Sequence, residues 1–409
     1  MTSYLFTNGR VLDAQNAALV DGLDVLVEDS EIREVSDTPI RTNAEVIDLR
    51  GKALMPGLID CHVHVNAGLV NIGANAMLPS SLAALRAARI MESMLQRGFT
   101  TVRDLGGADL GLVHAVEEGL IAGPRLIICG KALSPTGGHG DFRARSDDRD
   151  GDFRGRTGSM SRLVDGVDAI RRASREEIKA GAQFIKLMAN GGVASPNDPI
   201  HMLGFSVDEM KAAVEEADNA GFYVSAHLYT DRAIARAVDC GVHSLEHCNL
   251  IRPETAKRAA AKGCIAIPTL VAYEGLALDG EALGLGPESV AKIETVRKGG
   301  MESLSIMRDA GLPMAFGSDL LGGLMKYHSM EFEILARVLT PAEIIASATT
   351  VGAKLCRMEG KIGTIAHGAF ADLIVVDGDP YADITLLTGD GAHMPAIMAR
   401  GQFQKNALN

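Results

Sequence analysis

The chain has no two cysteines at C-x-x-C spacing. Its six cysteines, Cys61, Cys129, Cys240, Cys248, Cys264 and Cys356, are scattered over 409 residues. That excludes a small disulfide-stapled scaffold and favours a reducing compartment. An excess of cations is also missing. Forty Lys and Arg against 52 Asp and Glu leave a formal net charge of −12, the opposite of the basic face that nucleic-acid binding requires. No apolar run is long enough to span a bilayer. The opening residues, Met1-Thr2-Ser3-Tyr4-Leu5-Phe6, lack a basic stretch followed by a long apolar one, so no secretory signal is expected. These absences lead to the expectation of a soluble, cytoplasmic protein with neither a membrane nor a nucleic acid as partner. With 47% hydrophobic and 22% charged residues the composition is that of an ordinary globular protein. The length suffices for one large α/β unit and a smaller domain.

Both chain ends carry short alternating segments broken by turn residues. Residues 4–7, 11–12 and 23–28 read as strands, with Asn8-Gly9 and Asp29-Ser30 as turns. The same texture returns at 363–365, 371–377 and 396–401. Residues 1–54 and 352–409 are therefore expected to form one small β-sandwich domain. The middle, 55–351, alternates apolar strands with amphipathic helices. Strands are expected at 54–65, 100–105, 125–130, 184–189, 223–229, 244–249, 264–271 and 314–320, and eight is the number of a (β/α)8 TIM-type barrel. Helical patterns fall at 81–97, 166–180, 207–220, 230–240 and 253–262, and Ser206 with Glu209 forms a capping box. Two long connections, 131–164 and 321–328, follow strands three and eight. Both are expected on the catalytic face, where such loops shape substrate pockets.

Metal-type residues recur at one structural position. Asp60-Cys61-His62-Val63-His64 closes the first strand, Lys186 lies in the fourth, His227 in the fifth, His247 in the sixth, and Asp319 ends the eighth. His62 and His64 are two apart on a strand, so their imidazoles share a face. The C-terminal ends of parallel barrel strands converge on a single site. Imidazole and carboxylate donors suit zinc or another borderline divalent ion, and the pattern reads as a bimetallic hydrolase site. His114, His243, His367 and His393 stand alone and read as core or surface residues.

Residues 54–64, Leu-Met-Pro-Gly-Leu-Ile-Asp-Cys-His-Val-His, resemble the opening signature of the amidohydrolase superfamily. Residues 363–377, around Ala369-Phe370-Ala371-Asp372-Leu373, resemble its closing segment. Thr136-Gly137-Gly138-His139, Lys186-Leu187-Met188-Ala189-Asn190-Gly191-Gly192-Val193-Ala194-Ser195-Pro196 and Ala226-His227-Leu228-Tyr229 look like the bacterial prolidase and Xaa-amino-acid dipeptidase branch. Imidazolonepropionase and the ochratoxin-hydrolysing amidases are similar relatives. The resemblance spans essentially the whole chain. It implies two divalent ions, zinc by expectation, the more buried held by His62 and His64 and the more exposed by His227 and His247. It implies further that Lys186 is carboxylated and, with a hydroxide, bridges both ions. Asp319 would ligate the first ion, accept the hydroxide's proton and pass it to the leaving nitrogen.

Substrate contacts follow less directly. Tyr229 shares the strand face of His227, and its hydroxyl either meets the substrate or packs within the barrel. His139, in a Gly-rich loop, is a candidate carbonyl or carboxylate contact. Arg143, Arg145 and His328 are weaker candidates for that contact, and the backbone N–H of Val193 is another. Asp104 is expected to orient a ligand histidine. Cys61 and Glu246 point away from their histidine neighbours by strand alternation and stay outside the site. The implied activity is hydrolysis of dipeptides with release of a C-terminal amino acid, most readily from L-Xaa-L-Pro. The alternatives within the class are an N-acyl-amino-acid amidase of ochratoxin type, a Xaa-Arg/Lys dipeptidase and a cyclic amidase. From a different class, a non-catalytic, metal-binding structural subunit stays open. Small peptides or N-acyl amino acids are the expected ligands, and a homo-oligomer the expected assembly.

Overall fold

The computed structural model describes residues 3–14, 16–147, 155–195 and 197–408. Part of the Arg-, Asp- and Gly-rich stretch after strand three, residues 148–154, lies outside them, as do Met1, Thr2 and Pro196.

Seven parallel strands, Leu58–Val63, Phe99–Asp104, Arg125–Ile128, Ile185–Met188, Val224–Thr230, Ser244–Leu250 and Ile265–Ile267, make up most of a barrel. The eighth position is taken by residues 313–319. There Ala266 N–H donates to Pro313 O and Ala315 N–H to Ala266 O, both at 2.9 Å. Cys61 N–H donates to Phe316 O and Asp319 N–H to His62 O, both at 2.8 Å. These bonds join the seventh strand to the first and close the ring. The third strand breaks after Ile128 and resumes as Ala132–Ser134, which pairs with Ser161–Leu163 on one side and with Leu187 on the other. Helices cover the outside, so the strands are buried on both faces and read as nearly continuous apolar runs.

The expected helices are present as Ser80–Gln96, Val167–Lys179, Val207–Asn219, Asp231–Cys240 and Pro253–Ala261. The capping box of Ser206 and Glu209 is also present. Four expectations need correction. The strand expected at 54–65 is two strands that change partner at Gly57. Ala53–Pro56 pairs with Leu373–Val376 and Arg10–Asp13 in the small domain, whereas Leu58–Val63 pairs with Phe99–Asp104 in the barrel. The strand expected at 264–271 stops at Ile267, because Pro268 has no N–H for the ladder. Thr269 then turns with φ +51° into the helix Leu270–Asp279. No strand forms at 363–365. The long helix Pro287–Asp309 was not expected, since Gly299-Gly300 interrupts its pattern. A Cβ at either glycine would lie under 3 Å from Asn249. The two glycines therefore let this helix lie directly against the sixth strand, where Asn249 Nδ2 donates to Val296 O at 2.9 Å.

Both chain ends meet in the small domain. One sheet runs Glu31–Ser36, Asp24–Glu28, Ser3–Thr7, Glu45–Asp48. The other runs Gln402–Asn406, Ala396–Ala399, Leu373–Val376, Ala53–Pro56, Arg10–Asp13, Ala18–Asp21. Phe6, Val27, Ile32, Leu54, Val375 and Met398 fill the space between them. No helix among the described residues is long and apolar enough to cross a membrane.

Candidate metal centre

The first strand delivers His62, and His64 follows one residue past its end. Alternation turns both rings to one side, with centroids 5.5 Å apart. His227 comes from the fifth strand and His247 from the sixth, 4.6 Å apart, and His247 lies 4.9 Å from His62. Two of these positions break strand geometry. His247 has φ +72° and Asp319 φ +51°, left-handed conformations that a non-glycine residue adopts at a cost. The Asp319 carboxylate lies 3.4 Å from Nε2 of both His62 and His64 and 4.0 Å from Nδ1 of His247. Lys186, from the fourth strand, is 1% exposed, and its charge bears on both His227 and His247. Five barrel strands thus bring the six residues singled out as ligands to one place.

The charge states suit a cation. Burial holds the imidazoles of His227 and His247 well below their ordinary range, helped by neighbouring positive groups, so both are neutral with a lone pair to give. Burial alone would raise the carboxyl of Asp319, but the His62 and His64 imidazoles beside it hold it well below the usual range. Burial lowers the Lys186 ammonium to about 8. Lys186 Nζ and His227 Nε2 are buried with no hydrogen-bond partner, a costly state for polar atoms unless something further satisfies them. His62, His64 and Asp319 each offer a ligand atom within 4.8 Å of the others. The neutral imidazoles of His227 and His247, an ionised carboxylate and an unpartnered amine fit a divalent metal site.

The rings are anchored from behind. His62 Nδ1 is 2.7 Å from Glu246 Oε2, His64 Nδ1 is 3.1 Å from Gly106 O, and His247 Nδ1 is 2.7 Å from Thr269 Oγ1. Glu246 was set aside because alternation should turn it away from His247. The left-handed turn at His247 suspends alternation there, and Glu246 and His247 are both buried inside the barrel. A charged residue within an apolar strand was the available signal, as it was for Arg103. Asp104 does not touch a ligand histidine. Its carboxylate accepts from the N–H groups of Val65, Gly106 and Ala108, ordering the turn whose Gly106 carbonyl meets His64.

At the mouth, His139 stacks on His227 at 4.2 Å. Its Nδ1 lies 2.5 Å from Ser195 Oγ and 3.2 Å from Asp198 Oδ2. Asp198 also accepts from Gly192 N–H at 2.7 Å. Lys292 ties the loop together by donating to the carbonyls of Gly192, Ser195 and Asp198 at 2.8–3.0 Å. Tyr229 meets His227 edge-on at 4.7 Å, and the hydroxyl of Tyr273 donates to that of Tyr229 at 3.1 Å. Asp198, Tyr273 and Lys292 were not anticipated, because nothing in their local pattern marks them, and Ser195, though inside the segment 186–196 that carries the resemblance, was given no role. Val193 is buried beside this loop. His328 is not a mouth residue. It is fully buried, stacked on Phe99 at 4.2 Å, with Nε2 2.8 Å from Asp60. Arg143 donates through two nitrogens to Asp141 at 2.7 and 2.8 Å, so its charge serves the loop. Arg145 is exposed.

Comparison with known proteins follows the same lines. The model of the amidohydrolase family matches residues 53–396. Ochratoxinase of Aspergillus niger is 34% identical over 352 residues, covering 82% of this chain and 72% of that one. A crystallised amidohydrolase is 52% identical, with 100% of both chains covered and a TM-score of 0.98. A prolidase crystallised with N-methylphosphonate-L-proline is 50% identical, covering 99% of this chain and 100% of that one, with a TM-score of 0.97.

Proposed function

The chain belongs to the amidohydrolase family and is a metal-dependent amide hydrolase, and we propose that it cleaves dipeptides to release their C-terminal residue, foremost L-Xaa-L-Pro. The observation that carries this reading is the Asp319 carboxylate, 3.4 Å from Nε2 of His62 and of His64, in a site that also holds a buried amine without a partner. The choice of proline is supported by the prolidase that is 50% identical over nearly the whole chain.

In this reading His62 and His64 would hold one ion, His227 and His247 the other, and Lys186 and Asp319 would complete the set. The donor set favours zinc. Bound there, the ions would polarise the amide carbonyl and ease deprotonation of water. Lys186 at about 8 is partly free base near neutrality. Its nitrogen can add to carbon dioxide, forming an N–C bond and releasing a proton. A neutral, unpartnered amine thereby becomes an anion with two oxygen donors.

Asp319, held ionised, accepts the proton of the attacking water and delivers it to the departing nitrogen as the C–N bond breaks. His139, fixed at Nδ1, keeps Nε2 for a substrate oxygen. Tyr229 accepts the Tyr273 proton, so its own O–H is left to donate to the substrate. An Xaa-Pro amide has no N–H, and its recognition leans on the free carboxylate and on ring fit.

The test is an assay of zinc-loaded protein against Xaa-Pro dipeptides, other dipeptides and N-acyl amino acids, with release of free amino acid measured. Proline is expected from Xaa-Pro. Asp319→Asn should lose about 10²–10⁴-fold in kcat with metal content retained. A second reading, an N-acyl-amino-acid amidase with a phenylalanine leaving group, is favoured by the 34% identity to ochratoxinase. Turnover of N-acyl-phenylalanines with Xaa-Pro untouched would establish it instead.

A further inference from the structure

We infer that Arg103 and Glu246 form a buried positioning pair that fixes the tautomer of His62 and so sets the affinity of one of the two ions. The inference rests on the reading of His62 as a metal ligand. Arg103, on the second strand, is fully buried, and its guanidinium spends four donors. Nε donates to Cys61 O at 2.7 Å, Nη1 to the hydroxyls of Tyr223 at 3.1 Å and Ser244 at 3.0 Å, and Nη2 to Glu246 Oε1 at 2.7 Å. Glu246 Oε1 also accepts from Ser225 Oγ at 2.6 Å and Ser244 Oγ at 2.5 Å. Its other oxygen is left for His62 Nδ1 at 2.7 Å.

An ionised carboxylate can only accept, so the proton at that contact belongs to Nδ1, and in the metal-loaded protein the lone pair of His62 is left to Nε2. Nε2 is the atom that lies against Asp319. Arg103 and two hydroxyls, all donating to Oε1, hold the Glu246 carboxylate in place and balance its charge in the interior. The same rigid fork holds the Cys61 carbonyl, directly before His62 in the chain. The ring's backbone and the ring's acceptor are thus fixed by one group. His64 and His247 have neutral acceptors, a carbonyl and a hydroxyl. A carboxylate behind an imidazole makes it a more basic ligand, so the two ions are held with different strength.

Glu246→Gln keeps size and one acceptor oxygen but removes the charge. The double variant Arg103→Met/Glu246→Gln removes both charges together and leaves no unpaired guanidinium, which guards against misfolding of the single variant. Zinc bound per chain is titrated against graded chelator. Each variant is expected to hold one ion as the wild type does and the other about 10–100-fold more weakly. Equal weakening of both ions, or wild-type retention of both, overturns the inference. In ¹⁵N-histidine-labelled, zinc-loaded wild-type protein, His62 is expected with its proton on Nδ1, and an Nε2–H tautomer overturns the inference without any variant. If His62→Ala releases no ion, it is the ligand reading that fails, and the two failures are distinguishable.

Discussion

Gly192 has no side chain because His139 occupies the place one would take. A Cβ there would lie 2.1 Å from His139 Nδ1, the atom held by Ser195 and Asp198. Gly192→Ala must therefore push the imidazole off its seat while leaving the metal-type residues alone. The expected result is a fall in kcat/KM of roughly tenfold or more, equivalent to about 1.4 kcal/mol, with unchanged metal content by elemental analysis. Full activity in this variant would remove His139 from the reaction. The same scale explains why Glu246 was passed over. Side-chain alternation holds only while φ stays extended, and His247 at φ +72° does not comply.

Two helices act on the site through their ends and flanks. Lys292, on Pro287–Asp309, gathers three carbonyls of the 192–198 loop. Lys292→Met should loosen that loop and raise KM several-fold more than it lowers kcat, since ordering would then be drawn from substrate binding. Steady-state kinetics decide it, and an equal drop in kcat with constant KM would contradict the clamp. The helix Leu270–Asp279 starts at Thr269, whose hydroxyl meets His247 but caps no backbone group. Glu331 supplies the cap, accepting from Leu270 N–H at 3.0 Å and Val271 N–H at 2.6 Å. Burial pushes its carboxyl from an ordinary 4.5 up to about 8, against the pull of those two donors. The fold thus favours the protonated form. The stability this group lends is full below about 4.5 and is lost as pH rises through about 8. Between about pH 5 and 8, Tm should fall more steeply in the wild type than in Glu331→Gln, whose amide does not titrate. Parallel slopes would show that Glu331 carries no proton in this range.

Across the whole molecule, the proposed ligand set draws on five strands around the ring, and bound ions would brace them together. A ligand present at about a thousand times its Kd stabilises the folded state by about 4 kcal/mol. Chelation should therefore lower Tm by several degrees and zinc should restore it, as differential scanning fluorimetry would show. A transition indifferent to chelator would mean that no ion braces the strands.

Much of the architecture was legible from periodicity. Apolar strands alternating with amphipathic helices indicated a barrel, and turn-rich segments at both ends indicated one domain built from two pieces. Five helices fell within about a residue of their observed ends, because caps and apolar faces are local signals. Local signals also misled. Residues 54–65 read as one strand because both sides of Gly57 are apolar, and only the partners on each side divide them. His328 read as a mouth residue from its place in a loop. The fold turns it inward onto Phe99 and Asp60.

The sequence by itself determined which side chains could gather at the strand ends. A strand's period of two and a common barrel end are properties of the backbone that hold wherever such a pattern occurs. Only the tertiary structure decided what stands behind and around those side chains: Arg103 and Glu246 at His62, Asp198 and Lys292 at His139, Tyr273 at Tyr229. These contacts join residues from 42 to 184 positions apart. Distances of that kind are set by how the ring closes, which no local pattern records.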